Sequence, residues 1–412
     1  MKNSSDVLIV GAGVGGLNLA LRLASKGYRV RMLQQREPLS VRRPEMIQPA
    51  GLQAFEELGL FKSLKAGRVA QVERFHFYRI GGGPLCQVDY RVLDHPMPYT
   101  LITLPSQIRR VLVRALGAYP EVKVHWDTRV TGIVRKGGQV VGVKAVEGEH
   151  EREFSACVTI GADGSASPLR DALGIGSQVK RYLNGFLGML VKRPRECTDF
   201  LGRVHYYLGQ GQILGMFPCS PRMLCLLYMV PADGVATIRQ QGIEALKSRI
   251  ARIEPRIADA LGTIASWEHV SRLFPVRVHT AKWVVDGAAL IGDAAHACHP
   301  HVAQGTFQAM EDGKVLAELV ERCFWKGEFS ARMLAPYEET RRSVVERLQQ
   351  VANEYVWLWE TRNPVLARLR DRIFRNVGER PELLYRVAAI EAGIESGPLT
   401  FTERLQALGV CA

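Results

Sequence analysis

The stretch GDAAHACHPHVAQG, residues 292–305, gathers one carboxylate and three imidazoles: Asp293, His296, His299 and His301. Imidazole is the side chain that exchanges a proton near neutral pH, so His299 and His301 are candidate proton-transfer groups. Upstream, RVHYYLGQ adds His205 and Tyr207 as candidates of the same kind. Asp293 follows an apolar strand, where a parallel sheet presents its ligand-binding groups. A carboxylate recessed there needs donors, and a chain of sugar-like hydroxyls would supply them. An aspartate that merely caps the following turn would read the same way.

A second chemical feature opens the chain. In GAGVGG, Gly11, Gly13 and Gly16 have the G-x-G-x-x-G spacing, with Val14 and Gly15 between them. The first glycine permits a tight turn, the second lets backbone approach a diphosphate, and the third packs helix on sheet. The helix that follows aims N–H groups and a positive dipole end at the anion. The next strand normally ends in a carboxylate for a ribose; here Gln34 holds that position and Glu37 lies three residues on. A glutamine oxygen still accepts a hydrogen bond, more weakly than an ionised group. A third motif, GADGSASPLR, carries Asp163, Gly164, Ser167 and Arg170; taken alone it is a strand, a turn and a capped helix.

These motifs need elements to position them. DVLIVGAGVGGLNLALRLASKGYRV reads as a strand (7–10), a glycine turn, a helix with Leu17 and Leu21 at helical spacing, and a second strand (30–33). The other two motifs repeat strand, turn and helix, the last helix starting near Ala303. One parallel sheet assembled from distant segments is expected. Between them, VERFHFYRIGGGPLCQVDY and RVHYYLGQGQILGMFPCSPRMLCLLYMV are alternating, aromatic and β-branched, and read as antiparallel strands. After Ala335 the pattern is helical and rich in arginine.

Composition limits the alternatives. At 412 residues the chain exceeds one ordinary core, so two domains or a large insertion are expected. Hydrophobic residues at 47% and charged residues at 23% suit a globular chain. The net charge of +13 favours an anionic cofactor, an acidic substrate or an anionic membrane surface, although a generally basic surface has the same signature. No zinc-finger, homeodomain or RNA-recognition pattern accompanies it, so nucleic acid is not an expected partner. Eight cysteines without C-x-x-C read as reduced packing residues of a cytoplasmic protein, with no metal site expected. Neither a signal peptide nor a bilayer-spanning stretch is read from the sequence.

With all three motifs in order, the chain resembles the FAD-dependent group A aromatic monooxygenases, the para-hydroxybenzoate hydroxylase family, over roughly residues 5–345. The resemblance implies an α/β fold: a discontinuous Rossmann-like FAD-binding domain (1–72, 99–178 and 270–334), an inserted antiparallel-sheet substrate domain (73–98 and 179–269) and a helical C-terminal tail (335–412). It implies that the Gly11 to Gly16 turn holds the FAD diphosphate and that Asp293 meets the ribityl region. Pro300, Ala303, Gln304, Gly305 and Thr306 border the isoalloxazine, Asp163 and Arg170 serve FAD and NAD(P)H, and Arg43 lies near the flavin. Gln107, with Arg109, is a further FAD candidate in LPSQIRRVL.

The implied chemistry is reduction by NADH or NADPH, capture of O2 as a flavin C4a-hydroperoxide, and oxygen transfer to a phenolic, quinol-like or polycyclic ring shielded from water. A phenol is activated by losing its proton, which makes His205, His301 and Tyr207 the catalytic candidates. His296, inside the signature, is expected to be structural. Of Tyr206, Tyr207, Phe217 and Tyr228, strand alternation lets at most one of the adjacent tyrosines face the substrate. A monomer or homodimer is expected. The tail segment RNPVLARLRDRIFR places Arg368, Arg372 and Arg375 opposite Leu366, Leu369 and Ile373, a pattern shared by membrane-surface helices and solvated core-covering ones. The competing functions are a flavin reductase of isoprenoid double bonds and a non-catalytic flavin binder; the W-x-W-x-I-P signature of flavin halogenases is absent.

Overall fold

Val7, Leu8, Ile9 and Val10 are all buried, the mark of a strand covered on both faces. In the computed structural model, which describes residues 4–36 and 42–410, the strand Ser4–Val10 is the centre of the main sheet. It pairs in parallel with Val30–Leu33 on one side and His150–Gly161 on the other. Val122–His125 and Ala288–Leu290 extend the parallel core at either end, so the strands preceding all three motifs lie side by side. Helix Val14–Ala24 packs across the sheet against helix Gly305–Lys326, where Asn18 Nδ2 donates to the Met310 carbonyl at 2.8 Å.

The second sheet has seven strands, in the order Ser271–Leu273, Asn184–Lys192, Met223–Pro231, Ile213–Ser220, Arg203–Leu208, Arg74–Arg79 and Pro84–Asp89. Its pairings are antiparallel except one: Arg203–Leu208 runs parallel to Arg74–Arg79. Those two strands come from separate excursions of the chain, and a parallel neighbour needs a long connection. One face of this sheet carries Phe75, Phe77, Tyr206 and Phe217. The other carries Tyr207, Leu214 and Tyr228 and is covered by helices Gly234–Gln240 and Ile243–Ile253.

The C-terminal region forms helices Ala331–Trp359, Pro364–Glu379, Pro381–Glu391 and Phe401–Leu408. Its arginine-rich helix buries Ala367, Arg370, Asp371, Phe374 and Val377, while Arg368, Arg372 and Arg375 are exposed. Phe374 packs against Phe77 with tilted rings 5.0 Å apart, and buried Arg370 pairs with Asp371 at 2.8 Å. Ile373 joins Val377, Leu383 and Ala407 in a small cluster, so the apolar side of this helix is engaged within the chain. Among the described residues, no helix is long and apolar enough to cross a membrane.

Candidate active site

The first turn is set by sterics. Gly11 has φ 105°, and a Cβ there would fall 2.3 Å from the Ala162 carbonyl oxygen, which locks the first glycine loop against the GADGS loop. Gly13 is different. Its φ is −76°, and the nearest atom to a Cβ would be 3.9 Å away. The space beside Gly13, at the positive end of helix Val14–Ala24, belongs to a cleft that Val14 and Gly15 also line. Gln34 serves this loop: its side-chain oxygen accepts the Ala12 N–H at 2.6 Å, and its Nε2 donates to Arg36 O at 2.6 Å. Glu37 lies outside the described residues.

The GADGS loop is held from inside. Asp163 accepts from Ser167 Oγ at 2.5 Å and from the Leu169 N–H at 3.0 Å, and burial raises its pKa. Arg170 reaches the carbonyls of Ser165 and Ala294, both at 3.1 Å, tying this loop to the GDAAH loop. Neither side chain lines the cleft; Ala162 and Gly164 do. The hydrogen bonds of Asp163 and Arg170 hold these two loops together, and this placement by itself does not support their implied contact with cofactor.

Asp293 lines the cleft with its side chain exposed there, and the protein packed around it raises its pKa. It finds no hydrogen-bond donor among the described residues. Its neighbours are instead pinned by a buried network: Asp312 accepts from the Gly292 N–H at 2.9 Å, from His296 Nε2 at 2.6 Å and from Arg341 Nε at 3.0 Å. Burial alone would raise the Asp312 pKa, but His296 and Arg341 outweigh it and hold it at about 2. This network explains why His296 is structural.

The loop continues through Pro300 to Ala303, which adopts the left-handed conformation with φ 49°, so the helix starts at Gly305 and not near Ala303 as its sequence suggests. A non-glycine residue there costs roughly 1–2 kcal/mol. Pro300, Ala303, Gly305 and Thr306 line the cleft. Thr306 donates to Glu45, and Glu45 lies 3.6 Å from Arg43, which lines the same wall. Gln304 is turned away: its Nε2 donates to the Ile390 carbonyl at 2.6 Å. Gln107 lies on the helix Pro105–Leu116, packed against Gly67 and bonded to Arg110, and is not among the cleft-lining residues. Its expected role, and the side-chain role of Gln304, are not supported by this placement.

Beyond the loop the cleft turns apolar, walled by Met46, Phe186, Tyr206, Phe217, Leu227 and Leu273. Tyr206 faces in, with Phe77 stacked behind it at 5.1 Å. Alternation sends its neighbours out. His205 stacks with His76 and Tyr78 at 5.3 and 5.7 Å, and burial holds its pKa down at about 4. Tyr207 donates to Glu254, and burial pushes its pKa up. Both catalytic candidates are thus on the far face of the sheet, with Tyr228, and neither reaches the cleft.

His301 does line the cleft, and the structure adds a partner from the tail: its Nε2 lies 2.8 Å from Glu360 Oε1. Asn184 donates to the other Glu360 oxygen at 2.8 Å. His299 Nε2 lies 3.3 Å from Glu360 Oε1, and burial drives the His299 pKa well below its usual value. The three groups keep their ligand-capable atoms within 4.8 Å, a donor set open to a divalent ion. Hydrogen bonds from His301 and Asn184 satisfy the same carboxylate without one. Glu360, Asp312 and Arg341 are site residues that sequence reasoning missed; the aromatic run YVWLWE just before the helix end was the available signal for Glu360.

The residues present fit FAD: a glycine cradle at a helix N-terminus for the diphosphate, an acceptor at Asp293 for ribityl hydroxyls, and the start of helix Gly305–Lys326 beside the ring. Fold and site together define an FAD-dependent oxidoreductase with the architecture of the aromatic monooxygenases. The chain belongs to the family described as FAD binding domain, whose model matches residues 4–352. It is 28% identical over 352 residues to 6-methylpretetramide 4-monooxygenase of Streptomyces rimosus, covering 84% of this chain and 82% of that one. It is 25% identical over 366 residues to digeranylgeranylglycerophospholipid reductase of Methanocella arvoryzae, covering 85% and 86%. Among solved structures, p-nitrophenol 4-monooxygenase of Pseudomonas putida DLL-E4 superposes with a TM-score of 0.81 at 20% identity, covering 96% of this chain and all of that one.

Proposed function

We propose that the protein hydroxylates an aromatic ring, using FAD, NADH or NADPH, and O2. The observation that carries this reading is continuity: the cofactor half of the cleft, with Gly13 and Asp293, opens directly into the half walled by Phe186, Tyr206 and Phe217. Bound FAD supplies the redox and oxygen-activating chemistry. The chain does the rest. Its glycine loop and helix dipole would hold the diphosphate, Asp293 would offer an acceptor to the ribityl hydroxyls, and the N-terminus of Gly305–Lys326 would stabilise negative charge on the bound cofactor. The apolar sheet face excludes water and orients a planar substrate against the flavin.

The test is NAD(P)H oxidation by the FAD-loaded protein with and without candidate phenols and quinols. Oxygen uptake and oxidation that both rise on adding an aromatic compound support hydroxylation. The reductase relative favours a second reading, reduction of a carbon–carbon double bond. That activity would proceed without O2, so an anaerobic assay separates the two.

A further inference from the structure

The turn between strands Ser177–Arg181 and Asn184–Lys192 holds an apolar side chain out in solvent: Leu183 is 84% exposed. Two other large apolar residues are uncovered, Phe274 at 45% and Trp357 at 57%. All three belong to one region of the surface. Ser177–Arg181 pairs with strand Val276–Thr280, and the Tyr182 N–H donates to the Pro275 carbonyl, which brings Phe274 beside the turn. The Tyr182 hydroxyl donates to Asn353 at 2.7 Å, and Trp357 follows Asn353 by one turn on the same side of helix Ala331–Trp359. We propose that this face docks the protein on an anionic lipid surface.

Charge selects the occupant. Lys180 stands directly opposite Arg277 in the two-stranded ribbon, Arg181 precedes the turn, and Arg272 lies two residues from Phe274. Like charges placed opposite one another disfavour a strand pair, and an anionic surface removes that penalty. Among the described residues none of these four cations forms an ion pair. Arg277 and Trp357 line one open depression, whose acids Glu346 and Glu354 are already engaged by Arg342 at 3.3 Å and Arg404 at 2.7 Å. Asp233, next to the Ala232 that bonds the Leu183 carbonyl, is the acid close to the turn. The apolar groups stand on a turn and near a helix end, placed to enter a headgroup layer while the lysine and arginines meet lipid phosphates. The arginine-rich tail helix differs, because its apolar side is packed within the chain. The docking face also adjoins the apolar half of the cleft, since Leu273, beside Phe274, and its strand partner Phe186 both line it. The inference does not depend on the reaction catalysed.

The experiment sediments the FAD-loaded protein with vesicles of phosphatidylglycerol and phosphatidylcholine in equal parts, and with vesicles of phosphatidylcholine alone. The expected result is binding about tenfold or more tighter to the anionic vesicles, weakening as salt is raised. Leu183→Asn with Trp357→Asn, and separately Lys180→Glu with Arg181→Glu, should each weaken it by about tenfold. Arg368→Glu with Arg375→Glu on the tail helix changes the net charge by the same amount and should weaken it far less. All six positions are exposed, and variants are compared at matched FAD content and thermal midpoint, which removes folding as a cause. Failure to sediment with the anionic vesicles, or equal losses from the ribbon and tail reversals, would overturn the proposal. A protein that ignores both vesicles and forms a dimer dissolved by Leu183→Asn with Trp357→Asn would overturn it too, because a second copy would then cover the face.

Discussion

His296 Nε2 sits 2.6 Å from Asp312 Oδ2, a buried pair that holds the GDAAH loop onto the helix Gly305–Lys326. The same carboxylate oxygen accepts the Gly292 N–H, so one side chain fixes both ends of the turn that carries Asp293. Asp312→Asn removes the charge while Arg341 stays buried opposite it. The expected loss is roughly 3 kcal/mol of stability, as for other broken buried pairs. Chemical denaturation of the apoprotein measures it, and a parallel drop in FAD affinity would show that the loop has moved. Unchanged stability would refute the network's role.

Two glycines of one loop should respond oppositely. Gly11→Ala puts a Cβ 2.3 Å from the Ala162 carbonyl at a positive φ, so it should prevent stable folding. Gly13→Ala finds open space and an ordinary φ, so the apoprotein should fold normally and lose FAD affinity by tenfold or more. Circular dichroism and flavin titration separate the outcomes. Equal damage from both would mean that Gly13 does not cradle the cofactor.

Asp293 carries a cost in the apoprotein. Desolvation raises its pKa, so the ionised form destabilises the fold once pH exceeds the ordinary carboxylate range. Asp293→Asn should therefore raise the thermal midpoint of the apoprotein at pH 7 and weaken FAD binding. A rise in midpoint without loss of affinity would remove Asp293 from the cofactor site.

Acid lability should trace to His205. Its folded pKa of about 4 lies below the ordinary 6.5, so the unfolded chain binds its proton first as pH falls. The stability that this neutral ring supports is complete above about pH 7 and declines through the interval from 6.5 to 4, by about 2 kcal/mol at pH 5. His205→Phe should flatten that decline and leave the flavin's absorbance and NAD(P)H oxidation unchanged, since the ring lies on the far face of the sheet. The comparison needs only denaturation midpoints at pH 7 and 5. An equally steep decline in the variant would assign the lability elsewhere.

The three motif loops were legible because each is local: a strand, a turn and a helix start written in consecutive residues. Apolar runs such as Val7–Val10 announce a strand covered on both faces, and the order of the motifs announces a shared parallel sheet. The arginine-rich helix shows the opposite case. Arg370 and Asp371 look like surface charges in sequence, yet both are buried as a pair against the Gly209 and Trp359 carbonyls. A periodicity argument cannot see a partner that lies in another element.

By itself, then, the sequence determined the glycine loop proposed as the cofactor's cradle, because diphosphate recognition is done by backbone within a few residues of a glycine. Which side chains face the cleft was decided only in three dimensions. A shift of one residue along a strand separates Tyr206 in the cleft from Tyr207 behind it, and 59 positions separate His301 from the Glu360 that orients it. Face and partner depend on sheet register and on where the C-terminal helices dock, and those are properties of the packed whole.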